Sequence, residues 1–143
     1  MAGSGCTWET CMGTCAYMSP ERVDPERWSD GSSNSNAGFA GDVWSLGVVV
    51  LECMVGHYPL IRVGEKPDWA ALAYSICFED RVEMPEKASV EFGNFVRVCL
   101  EKDWRKRATV DDLLLHPFLK NSCEKRSRSV LALNKTITLD NRR

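Results

Sequence analysis

The chain has 143 residues, of which 44% are hydrophobic and 27% charged, a composition typical of a single domain with its own core. The formal net charge of −2 argues against nucleic-acid binding by the chain as a whole. The charge is uneven, because residues 120–143 hold seven basic and two acidic side chains while the rest of the chain is acidic.

The cysteines and the terminal residues indicate the cellular compartment of the chain. Seven cysteines without a Cys-x-x-Cys pair are interpreted as reduced thiols of an intracellular protein. His57 and His116 lack partners at ligand spacing, so we expect no metal site. The first residues do not have the form of a signal peptide, and no apolar run approaches the about 18 residues that span a membrane. We therefore expect a cytoplasmic protein, with the nucleus as a second location, that binds neither membranes nor nucleic acids.

The predicted elements begin with an irregular segment. Residues 1–22 are interpreted as a loop with a short helical turn near Pro20, and residues 23–39 as a polar stretch whose Ser- and Asn-rich part is a surface loop. The strongest helix follows. Asp42 can cap its N-terminus and Gly56 can end it. Because its residues are apolar on nearly every face, we expect a central helix enclosed by protein.

Three weaker helices and a basic tail complete the prediction. Asp68 and Ser89 are N-cap candidates for the first two, and the second carries a single apolar stripe (Phe92, Phe95, Val96, Cys99 and Leu100). Thr109, with Asp112 three residues later, resembles a capping box, and that last helix should end at His116-Pro117. No alternating strand pattern occurs, so the fold is predicted to be mainly α. The Ser-rich basic residues 120–143 are predicted to be disordered.

Several short motifs follow one another in a recognisable order. They are Gly13-Thr14, Ser19-Pro20-Glu21, Asp42-Val43-Trp44-Ser45-Leu46-Gly47, the Arg107 segment and His116-Pro117-Phe118-Leu119. This order resembles the second half of a eukaryotic protein kinase domain, from the end of the activation loop onward. The resemblance implies a partial kinase C-lobe, a helical subdomain around a central buried helix without the N-lobe. It divides the chain into residues 1–22 (activation-segment remnant), 23–119 (C-lobe helical core) and 120–143 (tail).

The resemblance also implies roles for individual residues. In the family, the Glu of Ser19-Pro20-Glu21 forms a buried ion pair with an Arg before the last helix, and Arg107 lies where that partner is expected. The alternative is two unrelated surface charges. Asp42 braces the catalytic loop in the family, although here it could be only a cap. Trp44 and Gly47 belong to the same structural motif, and Thr14 shapes the groove for the substrate hydroxyl.

A plant MAP kinase kinase is the subfamily that residues 13–22 and 56–60 resemble. Such kinases are activated at a Ser/Thr-x5-Ser/Thr pair, which makes Ser4 and Thr10 candidate phosphosites, although a chance match of small polar residues is equally open. The tail holds a candidate MAP kinase docking motif, at a position unusual for the subfamily, and a solvated basic tail is the simpler interpretation. Its residues are Lys125, Arg126, Arg128, Leu131 and Leu133.

The chemistry of phosphoryl transfer is not visible in the sequence. There is no Val-Ala-Ile-Lys, His-Arg-Asp or Asp-Phe-Gly motif, and these hold the phosphates, the catalytic base and the metal ions. We therefore name no catalytic residue, and expect no cofactor in this chain, whereas the complete family domain uses ATP and Mg²⁺. The central helix would also lack the neighbour that covers it in the family, which predicts a marginally stable or partner-bound chain.

Two functions remain open. The chain is interpreted as a fragment of a MAP kinase kinase, whose family phosphorylates MAP kinases on Thr and Tyr and is itself activated by an upstream MAP kinase kinase kinase. As it stands it is predicted to be inactive. The alternative is a non-catalytic scaffold or decoy that binds a MAP kinase or an upstream kinase.

Overall fold

The fold was analysed in a computed structural model, which describes residues 15–28, 36–61, 64, 68–79 and 82–121, apart from the side chains of residues 36 and 37. Its main helices are α1 (Pro20–Val23), α2 (Pro25–Trp28), α3 (Asn36–Val55), α4 (Trp69–Phe78), α5 (Val90–Cys99) and α6 (Val110–Leu114). Within these ranges there is no strand, which confirms the mainly α prediction. The chain divides into two compact units, Met1–Thr109 and Val110–Arg143; the three-part division made from the sequence stays a prediction.

Helix α3 begins earlier than predicted. It starts at Asn36 rather than after Asp42, so Asp42 lies inside the helix and the prediction that it is the N-cap is wrong. The Arg22 guanidinium lies 3.6 Å from the Asp42 carboxylate and donates to the carbonyl of Gly38 at 3.4 Å. These contacts favour a helical conformation in the first residues of α3, a segment that local propensity assigns to a loop. The predicted end is confirmed, because Gly56 has a positive φ of 80° and its N–H donates to Glu52.

Helix α3 is buried on one face only. Val43, Trp44, Val48 and Leu51 are in the core. The opposite face exposes four large apolar side chains (Phe39 68%, Leu46 44%, Val49 43% and Met54 41%). The expectation of a helix enclosed on every side is therefore wrong for the described residues. The stability of the chain stays a prediction.

The length of α3 corrects a second expectation. Gly38–Val55 is an 18-residue stretch with a mean hydropathy of 1.5, which is long and apolar enough to cross a membrane. The sequence analysis missed this 18-residue stretch because it placed the start of the helix at Asp42. Length and composition alone do not distinguish a spanning helix from a core helix. The packing of α3 against α5 favours a core helix.

Helix α5 packs closely on α3. Its predicted apolar stripe is buried, including Leu100, which lies directly after the last residue of the helix. Gly47 of α3 makes the close approach possible, because a methyl group built there would lie 2.6 Å from Cβ of Cys99. Burial raises the pKa of the Cys99 thiol to about 12. Cys15, Cys53, Cys77 and Cys99 are all unpaired, and the remaining three cysteines lie outside the described residues.

The predicted helix starts are placed well. The Asp68 carboxylate accepts from the N–H of Ala70 at 3.4 Å, and the Ser89 hydroxyl accepts from that of Phe92 at 3.1 Å, so both N-caps are confirmed. Helix α6 begins directly after Thr109 and ends at Leu114, two residues before the predicted end. A short turn at Pro20 was expected and is α1, whereas α2 in the predicted polar stretch was missed.

Replacement of Gly47 and of Gly93 by alanine should change the free energy of unfolding in opposite directions. Gly47→Ala places a methyl group against Cys99 and Leu100 and should destabilise the chain by roughly 1–3 kcal/mol. Gly93→Ala meets no atom within 4 Å and removes a flexible residue from α5, so it should stabilise by up to about 1 kcal/mol. Unfolding by urea measures both. Equal effects of the two substitutions would contradict the close approach.

Candidate functional site

Arg107 lies in the loop after α5, and its side chain is completely buried. The guanidinium donates all five of its N–H groups: two to the Glu21 carboxylate and one each to the carbonyl oxygens of Ala40, Glu101 and Lys102. These acceptors belong to α1, α3 and the loop itself. One buried cation therefore joins three parts of the first unit.

The structure brings together the predicted pair Glu21 and Arg107, which are 86 positions apart. Nη1 lies 2.8 Å from Oε1 and Nη2 lies 2.9 Å from Oε2, a bidentate arrangement that suits a guanidinium and a carboxylate. Ser19 and Pro20, the other two residues of that motif, are both buried beside it. The motif order was the only signal in the sequence for this contact.

The ionisation of Glu21 is controlled by two opposing effects. Burial is the larger single influence and would raise the pKa of the carboxyl group. Hydrogen bonds from Arg107, together with its positive charge, outweigh it and hold the pKa of Glu21 below its usual range. Glu21 is thus kept charged inside the fold.

Trp44 is fully buried between two cations. The Arg107 guanidinium and the Lys102 ammonium each lie 5.3 Å from its ring centre, within cation–π range. Lys102 also donates to the carbonyls of Ser75 at 2.9 Å and Ile76 at 2.5 Å in the last turn of α4. It therefore ties α4 to α3. The sequence reading missed Lys102, because a lysine after a helix carries no motif signal.

The segment of residues 15–18 is fastened along α3. The Tyr17 hydroxyl donates to the Glu52 carboxylate at 2.7 Å, and the Ser45 hydroxyl donates to the carbonyl of Tyr17 at 2.8 Å. Tyr58 donates to the carbonyl of Ala16 and meets the Tyr17 ring edge to face at 5.9 Å. The hydrogen bond to Glu52 raises the pKa of Tyr17, and burial raises that of Tyr58. None of these contacts was predicted.

Other predicted site residues are placed as follows. Gly47 lies at the contact with α5, and Asp42 is on the exposed side of α3, paired with Arg22. Thr14, directly before the fastened segment, is outside the described residues. So are the candidate phosphosites Ser4 and Thr10, and the candidate docking residues Lys125, Arg126, Arg128, Leu131 and Leu133.

MgATP needs carboxylates for the metal ion and cations for the phosphates. No three His, Cys, Asp or Glu side chains come together in the described part of the chain, so it holds no preformed all-protein metal site. Its strongest cation, Arg107, has every donor occupied by protein. The arrangement can therefore hold helices and the segment of residues 15–18 in fixed positions.

Comparison with known proteins identifies the family. The model of the protein kinase domain matches residues 2–119, and the chain belongs to the protein kinase family. Within that family it is similar to plant MAP kinase kinases. It is 63% identical to mitogen-activated protein kinase kinase 10 of Arabidopsis thaliana over 109 residues, and 52% identical to kinase kinase 9 of the same plant, also over 109 residues.

These alignments define how much of a kinase is present. They cover 76% of this chain but only 35% and 34% of the two relatives, so the chain spans about a third of their length. Kinase kinase 7 of Arabidopsis thaliana gives the same picture, with 50% identity over 78% of this chain. The chain is a part of a protein kinase domain that corresponds to the helical C-lobe.

Removal of the buried guanidinium should lower the free energy of unfolding far more than removal of an exposed one. Arg107→Ala strands the Glu21 carboxylate in the interior, and breaking a buried pair from one side costs about 3–5 kcal/mol. Arg97→Ala, at an exposed position on α5, should change stability by less than about 0.5 kcal/mol. Denaturant unfolding gives both values, and similar midpoints would contradict the role of Arg107.

Acid should destabilise the chain through Glu21. Since its folded pKa lies below the unfolded value of about 4.3, its contribution is present above that pH and is lost as the pH falls through the folded pKa. Glu21→Gln should therefore be less stable than the parent at neutral pH and should lose less stability on acidification. Thermal midpoints between about pH 7 and about pH 3 test this, with the exposed Glu26→Gln as control. Parallel curves for Glu21→Gln and the parent would contradict it.

Proposed function

We propose that this chain is the substrate-facing part of a MAP kinase kinase. The complete protein would transfer the γ-phosphate of ATP, with Mg²⁺, to Thr and Tyr of a MAP kinase, and would itself be activated by an upstream MAP kinase kinase kinase. The observation that carries the proposal is the 63% identity to mitogen-activated protein kinase kinase 10 over 76% of the chain. A cytoplasmic and nuclear location is part of the same proposal.

Within that function the described residues act as a platform. Tyr17, Ser45 and Tyr58 hold residues 15–18 along α3. In the sequence this segment directly follows Thr14, which the family resemblance places at the substrate hydroxyl. The Glu21–Arg107 pair then fixes the following turn against the helical core. Rigid support of this kind is what positions a substrate for phosphoryl transfer, a reaction that depends chiefly on geometry and electrostatics.

This chain alone is proposed to be catalytically inactive. The proposal rests on the sequence, which holds none of the Val-Ala-Ile-Lys, His-Arg-Asp and Asp-Phe-Gly motifs. With purified chain, a plant MAP kinase and labelled ATP, we expect no phosphate on the MAP kinase. A full-length MAP kinase kinase in the same assay is the positive control, and incorporation by the chain above a no-enzyme blank would contradict the proposal.

The alternative of a scaffold or decoy is tested with the same preparation. It requires the immobilised chain to retain a MAP kinase, and retention should fall when Leu131 and Leu133 become Ala. If nothing is retained, the alternative fails. The transcript upstream of Met1 separates the two functions further, because an in-frame segment encoding His-Arg-Asp and Asp-Phe-Gly would identify the catalytic protein.

A further inference from the structure

Helix α3 carries a regular stripe on its exposed face. Five exposed positions follow one another at alternating intervals of three and four residues: Phe39, Asp42, Leu46, Val49 and Cys53. An average interval of about 3.5 residues is the repeat of two helices that pack along a common seam. We call these five residues the α3 stripe. Its form is that of one half of a helix pair.

A second copy of α3 is the element that matches the α3 stripe. The other main helices have ten residues or fewer, and the apolar stripe of α5 is already buried. Helix α3 has 20 residues, a length of about 30 Å, so two copies can pack along the two heptads that the stripe spans. The carboxylate of Asp42 within the stripe argues against lipid as the occupant.

Interface size and charge are both compatible with a pair of copies. Association would remove four large apolar side chains from water. A contact along two heptads lies near the lower limit of specific interfaces, about 1,200 Å² in total, so we expect a micromolar dissociation constant. The formal net charge of the whole chain is only −2, so long-range repulsion between two copies is weak. The guanidinium of Arg22, 3.6 Å away, offsets the charge of Asp42.

We propose that two copies of this chain associate through α3, with the two helices antiparallel. Parallel helices would place the Asp42 carboxylates of the two copies opposite each other, and like charges in a seam repel. An antiparallel pair centred between Leu46 and Val49 places Asp42 opposite Cys53 of the second copy. Leu46 then packs on Val49 of the second copy, and the reverse, at the middle of the contact. The proposal concerns the chain itself and does not rest on phosphoryl transfer.

Sedimentation equilibrium of the full chain between about 1 and about 200 µM tests the association. The chain has a mass of 16.1 kDa, and we expect a monomer–dimer equilibrium with twice this mass as its upper limit. Leu46→Glu places a charge at the middle of the seam and should weaken association at least about tenfold. Val90→Glu, at an α5 position that is 86% exposed, is the matched control and should associate like the parent.

Cross-linking tests the direction of the helices. Asp42→Cys should form a disulfide with Cys53 of the second copy under mild oxidation, because Cβ atoms within about 4.5 Å can be bridged. Peptide mapping by mass spectrometry distinguishes this link from those of the other cysteines. Asp42→Cys combined with Cys53→Ser should lose the link. This measurement decides the proposal even if Leu46→Glu does not fold, which circular dichroism of the variant at about 1 µM shows.

Several results would overturn the proposal. They are a monomer at about 200 µM, a mass that rises beyond the dimer, or association of Leu46→Glu that equals that of Val90→Glu. A disulfide between the two substituted positions in the variant without Cys53 would show parallel helices and contradict the direction. Flotation with phosphatidylcholine vesicles runs alongside. If the parent floats and Leu46→Glu does not, the exposed face of α3 binds a membrane and the proposal fails.

Discussion

The first unit of this protein depends on one buried guanidinium. Arg107 contributes five donors, and α1, α3 and the loop after α5 contribute the acceptors. A charge in the interior is tolerated only when it is fully paired, and here Glu21 supplies the opposite charge while three carbonyls take the remaining donors. The helices can therefore adopt one relative arrangement in which all of these bonds form together. The same guanidinium also packs against the ring of Trp44.

That arrangement explains why the described part of the unit forms a platform. Its polar side chains are used inward, on Glu21, Ser45 and Tyr17, where they fix backbone and helices. Outward it presents exposed apolar side chains on α3 and on α4. The similarity to plant MAP kinase kinases extends over about a third of their length.

Local signals predicted much of the fold, and long-range contacts account for what they missed. The caps Asp68 and Ser89 and the stop at Gly56 are decided within a few residues, and all three are where the sequence put them. The start of α3 was wrong because it depends on Arg22, which lies far back in the chain. Glu21 and Arg107 could be paired only through the motif order of a known family. No motif order indicates the role of Lys102 or the contacts of Tyr17, because a single lysine or tyrosine fits many environments.

The ion pair can form only late in the synthesis of the first unit. Its two members are 86 positions apart, and a ribosome adds roughly 5–20 residues per second, so Glu21 waits on the order of 4–17 seconds for its partner. During that interval α1 has no anchor and the apolar side chains of α3 have only part of their cover. A nascent chain in this condition is a natural client for chaperones, which bind exposed apolar segments. The residue that completes the core is thus among the last of the unit to be made.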